Sequence, residues 1–327
     1  MIEQIRNNLY RIEIPLPQNP LKALNSYFIR GSNRNLLIDT GFNREECRIA
    51  MDRAIQELDI ALEETDILVT HIHADHSGLA GYLARPETRI YTGGYTHKSL
   101  TQTNNLSNYH ADFIKQSGLM EMGLTQDLSF HPGYRYRSAP VSHGTVVREG
   151  TLIQAGDFTL QCLMTTGHAP DHICLYDQKH KILFSGDHIL GGITPNNTVW
   201  DSPWNIRIDY LDEYFKSLEK IQDLDIELTL PGHRRILTDC QGRIEELKVH
   251  HHNRLNNVLD ILGNKSMTGA QVASKMKWDL NIKSWEEYPP AQKLFASGEA
   301  LSHLTHLVFK GVLAKELRDG LVYYHIV

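Results

Sequence analysis

Residues 70–78 read THIHADHSG. Three histidines and an aspartate, His71, His73, Asp75 and His76, fall within six positions, directly after the apolar-ended run DILV at 66–69. A short buried strand that runs into such a cluster predicts a strand-to-helix turn. At a turn, neighbouring side chains can fan around one point, which neither a straight strand nor a straight helix allows. Imidazole and carboxylate together suit zinc, and also iron or manganese. Ser77 reads as a small residue packed at the helix start rather than as a nucleophile.

A two-metal site needs more donors than one turn supplies, and the chain offers them further on. His168 sits in TTGHAPDH, Asp187 in LFSGDHIL and His233 in LTLPGHRR. Each is expected at the end of a buried strand, and both histidines directly follow a glycine. Asp39 in LIDTG stands at another strand end. The 18 histidines of the chain fall in small clusters, which supports the search for a metal centre.

Around these motifs the pattern is mixed α/β. Strand-like segments are expected at 9–15, 25–30, 35–39, 145–147, 151–155, 158–165, 173–177, 182–186 and 227–230. Helical patterns cover 44–58, 96–122 (with a break near 117–118) and 209–221. Strand-rich halves separated by helices predict two sheets sandwiched between helices. Near residue 242 the composition changes. Helices at 244–262, 269–276 and 292–310 are followed by a hairpin, LAKELRDGLVYYHI, turning at Asp319-Gly320. That is the order of a winged helix, so the chain divides into 1–242 and 243–327.

The bulk properties narrow the function classes. The chain has 327 residues, 41% hydrophobic, enough for a large core, and a net charge of -6 that does not draw it to nucleic acid or an anionic membrane. No apolar run approaches the roughly 18 residues that span a bilayer. The N-terminal stretch lacks the apolar segment of a signal peptide, so a cytoplasmic location is expected. The four cysteines form no CxxC pair and read as buried, reduced thiols.

The set HxHxDH at 71–76, GH at His168, SGD at Asp187 and PGH at His233 resembles the metallo-β-lactamase-fold hydrolase superfamily in order, spacing and strand context, over roughly residues 1–240. The resemblance implies an αββα sandwich of the metallo-β-lactamase type, followed here by the small winged-helix unit. It implies two divalent metal ions, zinc first among the candidates. His71, His73 and His168 would hold one ion, Asp75, His76 and His233 the other, and Asp187 would bridge them together with a hydroxide. That hydroxide would attack a thioester or other acyl ester, with Asp75 holding its proton. Asp39 would orient a ligand histidine through its free ring N–H. His172 and His188 are read as supporting residues, and the triplet at 250–252 as a solvated face or domain interface.

The segment TPNNTVWDSPWNIRIDY at 194–210 supplies the expected substrate contacts, Asn197, Trp200 and Trp204. The helical stretch at 95–122 with Tyr134, Arg135, Tyr136 and Arg137 reads as a lid, with an arginine meeting an anionic substrate tail, or as a solvated face. TPNN and the FASGEALSHLTHL helix resemble the β-lactamase-like protein 2 and glyoxalase II-like group, which includes thioester hydrolases of polyketide pathways and a single-strand RNA endonuclease. The expected partner is therefore a small-molecule acyl substrate. The chain lacks the basic glutathione-binding pattern that hydroxyacylglutathione would call for.

Single-strand RNA cleavage is the alternative. It is disfavoured because residues 243–327 hold 11 Lys+Arg against 9 Asp+Glu, and the stretch 296–310 of the third helix offers His303, His306 and Lys310 with no arginine. A persulfide dioxygenase with one iron is the remaining alternative. A flavodiiron protein is disfavoured because His73 stands where that group carries a carboxylate. β-Lactam hydrolysis is not expected of a chain with this tail. A homodimer through the winged helix is the oligomer this arrangement suggests.

Overall fold

The computed structural model describes all residues other than 103–106, 126, 128, 280, 281 and 283, and only the backbone of 107–110. Part of the expected 96–122 helix therefore lies outside the described residues. Among those described, the first sheet contains β1 (Ile2–Arg6), β2 (Leu9–Pro15), β3 (Ala23–Ile29), β4 (Asn35–Ile38), β5 (Thr65–Leu68), β6 (Ile90–Thr92) and β7 (Thr145–Val146), in that spatial order. Strands β1 to β4 pair antiparallel, and β4 to β7 pair parallel. Helices α1 (Glu45–Glu57), α2 (Ala74–Ser77), α3 (Ala80–Leu83), α4 (Gly94–Thr101), α5 (Ser107–Gln116) and α6 (Pro132–Arg135) belong to the same half.

The strands follow from their patterns. In β2, Leu9, Ile12 and Ile14 are buried while Arg11 and Glu13 reach outward. In β5 every residue is buried, as befits a parallel strand covered on both faces.

The second sheet has the order β12-β11-β10-β9-β8, from β8 (Leu152–Ala155), β9 (Phe158–Met164), β10 (Ile173–Asp177), β11 (Ile182–Gly186) and β12 (Leu228–Pro231). Leu36, Ile38 and Leu68 of the first sheet pack with Leu160, Leu175 and Phe184 of the second in one apolar cluster, which is the layer between the sheets. A second cluster joins Phe28 and Leu37 to Met51 and Ala54 of α1 and lies on the outer face of the first sheet. The outer face of the second sheet is covered by α7 (Tyr210–Gln222) and α8 (Cys240–Leu262). The result is the expected helix–sheet–sheet–helix sandwich.

The C-terminal part continues with β13 (Met267–Thr268), α9 (Gly269–Ala273), α10 (Pro290–Phe309), β14 (Leu313–Arg318) and β15 (Leu321–Ile326), the last two and β13 forming a three-stranded sheet. The sequence boundary at 242/243 falls inside α8. The core is continuous across it: Leu211 and Tyr214 share a cluster with Val258, Leu301 and Tyr324. Helix α9 starts on a complete capping box of Thr268 and Gln271, and α10 starts at a proline, two residues earlier than the apolar pattern suggested.

His303 and His306 on the third helix are buried, because α10 packs against α7, α8 and α9. The triplet at 250–252 splits: His251 is fully buried at the contact of α8 with α10, and His252 is exposed. No described helix is long and apolar enough to cross a membrane.

The last residue of the opening motif shows how tightly this corner is built. A Cβ on Gly78 would lie 2.5 Å from the Ala74 carbonyl oxygen and 2.6 Å from both the Asn43 nitrogen and the Gly41 oxygen. These are backbone atoms and cannot turn aside. Gly78→Ala is expected to destabilise the protein by about 3 kcal/mol, the upper end for overpacking. Thermal unfolding checks this, and an unchanged midpoint would show that the corner relaxes.

Candidate metal centre and substrate cavity

Strand β5 ends in the middle of the first sheet, and the chain turns at Thr70 before α2. Asp39, just beyond β4, fixes that turn. Its carboxylate accepts from the Thr70 backbone N–H at 2.8 Å and from the Thr70 hydroxyl at 2.9 Å. The same carboxylate lies 2.7 Å from His76 Nδ1. Asp39 adopts a φ of 58°, a left-handed conformation that aspartate tolerates better than most residues. The Thr70 hydroxyl, already donating to Asp39, is placed to accept from His71 Nδ1 at 3.0 Å.

The four sequence blocks converge on one point. His71 Nε2 and His73 Nδ1 are 2.9 Å apart, and His168 Nε2 lies 3.3 Å from the first and 2.9 Å from the second. Asp75, His76 and His233 form a second group, with His233 Nε2 3.2 Å from Asp75 Oδ2. Asp187 stands between the groups. Its Oδ1 is 3.4 Å from His76 Nε2, and its Oδ2 is 3.5 Å from His233 Nε2 and 3.7 Å from His168 Nε2. The arrangement could hold two cations, one in each group, with the Asp187 carboxylate reaching both.

The second ring nitrogens are tied back. His168 Nδ1 donates to the Asn196 carbonyl at 2.8 Å, and His233 Nδ1 to the Ala23 carbonyl at 2.7 Å. With those N–H groups engaged, the Nε2 of each ring in its neutral form presents a lone pair to the centre. His172 has a different part: its Nε2 accepts from the Asp187 backbone N–H at 3.1 Å, and its Nδ1 meets the Thr165 hydroxyl at 2.8 Å. It thus fixes the backbone of Asp187 and faces no cluster donor. His188 is buried against Tyr214 and plays no part in the cluster. Ser77 donates to the Ile72 and His73 carbonyls, as its packing role predicts. Gly232 is required by close approach, since a Cβ there would lie 2.7 Å from Asp187 Oδ1 and from His76 Cε1.

The electrostatics follow from burial and proximity. Burial, then the neighbouring His168, pushes His73 down to about 3. His71 and His168 are also lowered, chiefly by burial. Burial would raise the Asp75 carboxyl, but His76 and His233 beside it prevail and hold it at about 2. The first group is thus neutral imidazole and Asp75 an anion, the protonation states that cation binding requires. All four cysteines are buried and free, and burial raises each thiol, Cys162 and Cys174 to about 12, so no thiolate nucleophile is present among them.

A cavity of about 450 Å³ opens over this cluster. His73, Asp75, His168 and Asp187 form its floor, and Phe42, Tyr95, Phe113, Tyr134, Leu294 and Phe295 stand in its walls. Trp200 lines it as expected. The indole stacks on His73 with centroids 5.7 Å apart and donates to the His168 carbonyl at 3.3 Å. Trp204 and Asn197 do not line it. Trp204 is at the surface beneath the Lys315 ammonium, and Asn197 is buried with its amide on His251. Their neighbours Asn196 and Thr198 face the cavity instead.

Tyr134 and Arg137 of the expected lid segment reach the lining, whereas Arg135 lies over the Tyr136 ring. Phe113, Leu294 and Phe295 were not singled out from the sequence. They read there as ordinary apolar positions of helices, and nothing local marks them.

Comparison with known proteins agrees with this geometry. The family model described as the metallo-beta-lactamase superfamily matches residues 21–233. The chain is 27% identical over 258 residues to the probable metallo-hydrolase YqjP of Bacillus subtilis, covering 76% of this chain and 79% of that protein. It is 30% identical to the acyl-coenzyme A thioesterase MBLAC2 of Gallus gallus, over 64% of this chain and 72% of that one. It is 25% identical to an atrochrysone carboxyl ACP thioesterase of Aspergillus fumigatus over 70% of this chain, and spans about half, 56%, of that longer protein. Among solved structures, a beta-lactamase domain protein from Burkholderia ambifaria superposes with a TM-score of 0.85 at 25% identity, covering 100% of this chain and 94% of that one. A metallo-beta-lactamase family protein from Thermus thermophilus superposes with a TM-score of 0.83 at 24% identity, covering 99% and 100%.

Proposed function

The chain belongs to the metallo-beta-lactamase superfamily, and we propose that it is a hydrolase of acyl thioesters using two divalent metal ions, zinc first among them. The observation that carries this reading is the donor cluster at the floor of an apolar cavity. Its chemistry fits cations. His76 Nε2, Asp187 Oδ1 and His233 Nε2 are buried without a hydrogen-bond partner among the described residues, and each lies at the cluster. Leaving such atoms unpaired costs about 1–3 kcal/mol apiece, a cost that a bound cation removes.

His71, His73 and His168 would hold one ion, Asp75, His76 and His233 the other, with Asp187 touching both. Held by these residues, the ions would supply a nucleophilic water and a Lewis acid for the substrate carbonyl. The chain's own residues do the rest. Asp75, an anion at the cavity floor, takes the proton of the attacking water as the C–O bond forms and returns it to the thiolate that leaves when the C–S bond breaks. Trp200 holds His73 and the His168 backbone in place. The walls of Phe113, Leu294 and Phe295 fit a hydrocarbon or aromatic acyl group and exclude water from one side of it. Arg137, at the lining, suits an anionic tail of the carrier.

The thioesterase activities of the chicken and Aspergillus relatives support the choice of an acyl thioester over a phosphodiester. So does the burial of α10, which leaves no free third helix to enter a nucleic-acid groove. Residues 243–327 are read as a winged-helix-like unit serving the hydrolase rather than nucleic acid, and the site as that of a cytoplasmic enzyme.

The test is metal analysis of the purified protein together with assays on acyl-coenzyme A and acyl-glutathione thioesters, with single-stranded RNA as control. About two zinc ions per chain and thioester cleavage favouring apolar acyl groups are expected. RNA cleavage without thioester turnover, or one iron per chain with oxygen uptake, would overturn the reading.

A further inference from the structure

The loop at 194–200 is strapped to the C-terminal helices at three successive residues. Asn196 Nδ2 donates to Glu299 Oε2 and to the Phe295 carbonyl, both at 3.1 Å. Asn197 Nδ2 donates to His251 Nε2 at 3.1 Å. Thr198 lies so close to α10 that a Cβ on Gly298 would come within 2.3 Å of its hydroxyl.

The imidazoles behind Asn197 form a directional chain. His251, accepting at Nε2, donates from Nδ1 to His303 Nε2 at 3.1 Å, and His303 donates from Nδ1 to the Glu299 carbonyl at 2.7 Å. Both straps therefore end on Glu299, through its carboxylate and through its backbone oxygen. Glu299 is 5% exposed, and its other carboxylate oxygen is 3.1 Å from Arg254 Nε. That contact is an ion pair: the Arg254 Nε–H donates to His250 Nε2 at 2.9 Å, and the guanidinium stands 4.3 Å over the Trp278 ring. The gathering of His250, His251 and Glu299 thus holds a guanidinium and is not a second metal site.

The strapped loop meets the centre at Trp200, which stacks on His73 and donates to the His168 backbone, and at the Asn196 carbonyl, which accepts from His168 Nδ1 and so bears on the ring itself. We propose that Glu299 is a positioning residue for the metal site, fixing through Asn196 the carbonyl that orients His168, so that α10 sets the geometry of one ligand. This rests on the reading of His168 as a ligand. It gives the C-terminal unit a part in the hydrolase: a brace that reaches the first metal group through one side chain and one carbonyl. Glu299 touches neither substrate nor metal and acts only through Asn196.

The experiment uses the full chain loaded with cobalt(II), comparing wild type with Asn196→Ala, Glu299→Ala and Glu299→Gln. Visible absorption reports the ligand geometry, and chelator competition reports affinity for each ion. Thermal unfolding of the metal-free proteins shows that each is folded. Asn196→Ala and Glu299→Ala are expected to weaken one of the two cobalt ions by about 10–100-fold and to shift its absorption band. Glu299→Gln, which keeps an acceptor for Asn196, is expected to retain the wild-type band. The Asn196→Ala/Glu299→Ala double variant should bind cobalt no more weakly than the worse single variant, because both break one path.

Should Glu299→Ala fail to fold, because the half-buried Arg254 is left without its counter-charge, Asn196→Ala and Glu299→Gln decide. A folded Asn196→Ala protein with wild-type cobalt affinity and spectrum overturns the inference. A wild-type chain that takes up no cobalt overturns the metal reading beneath it, and thioester assays are not needed to tell the two failures apart.

Discussion

Asp75→Ala is expected to lower thioester turnover by about 10³-fold while leaving the fold intact. The side chain lies at the cavity floor, 3.2 Å from His233 Nε2, and is held ionised at about 2 by His76 and His233 against the opposing effect of burial. Loss of a proton acceptor at the reacting position raises the barrier by about 4 kcal/mol at that fold-change. Asp75→Asn separates the contributions, since it keeps the shape and one donor oxygen but cannot take the proton at neutral pH. Measuring kcat and KM alongside bound metal checks the argument. A turnover loss of less than tenfold with full metal content would remove Asp75 from its assigned role.

Asp39→Ala is expected to have the largest effect on stability together with metal affinity. The substitution strips acceptors from the Thr70 N–H, the Thr70 hydroxyl and His76 Nδ1, all buried, and it places alanine at a φ of 58°. Unsatisfied buried donors and a disfavoured left-handed residue together cost about 3 kcal/mol, read as a fall of roughly 4 °C in the unfolding temperature of a chain this long. Asp39→Asn tolerates the backbone and still accepts from Thr70, but turns an amide toward His76. It should stay close to wild type in stability yet bind the second metal about 10–100-fold more weakly. Differential scanning calorimetry and chelator titration give the two numbers. An Asn variant with undiminished metal affinity would show that His76 needs no anion behind it.

Much of the site was legible because its parts are local. His71, His73, Asp75 and His76 lie within one turn, and a turn is set by neighbouring residues. His168, Asp187 and His233 each end a strand whose burial pattern is visible in sequence. A glycine precedes each of them, and at Gly232 the structure shows the reason, the closeness of Asp187 and His76. Asp39 was legible for the same reason, at the end of an apolar strand.

The substrate wall was not legible. Trp200 and Trp204 are the same residue type four positions apart, and Asn196 and Asn197 are adjacent. Yet Trp200 and Asn196 face the cavity while Trp204 and Asn197 do not. In an irregular loop no period assigns faces, so only the packing of α10 against residues 194–200 decides which side chain turns inward. The division at 242/243 was likewise drawn from a change in composition, whereas α8 runs through it and its apolar face continues the core of the second sheet.

Most strands and helices of the sandwich, though not β1 or β6, and the donor types at the strand ends could be read from the chain alone, because period, turn residues and ligand chemistry are written locally. Which distant residues close over those donors depends on long-range packing. Phe113, Leu294 and Phe295 become the cavity wall, and Glu299 the brace behind His168, because long-range packing carries α5 and α10 to the mouth of the sheets. Their sequence signature is that of any buried helix. An apolar or paired residue looks the same wherever its helix docks, and docking depends on the shape of the whole core.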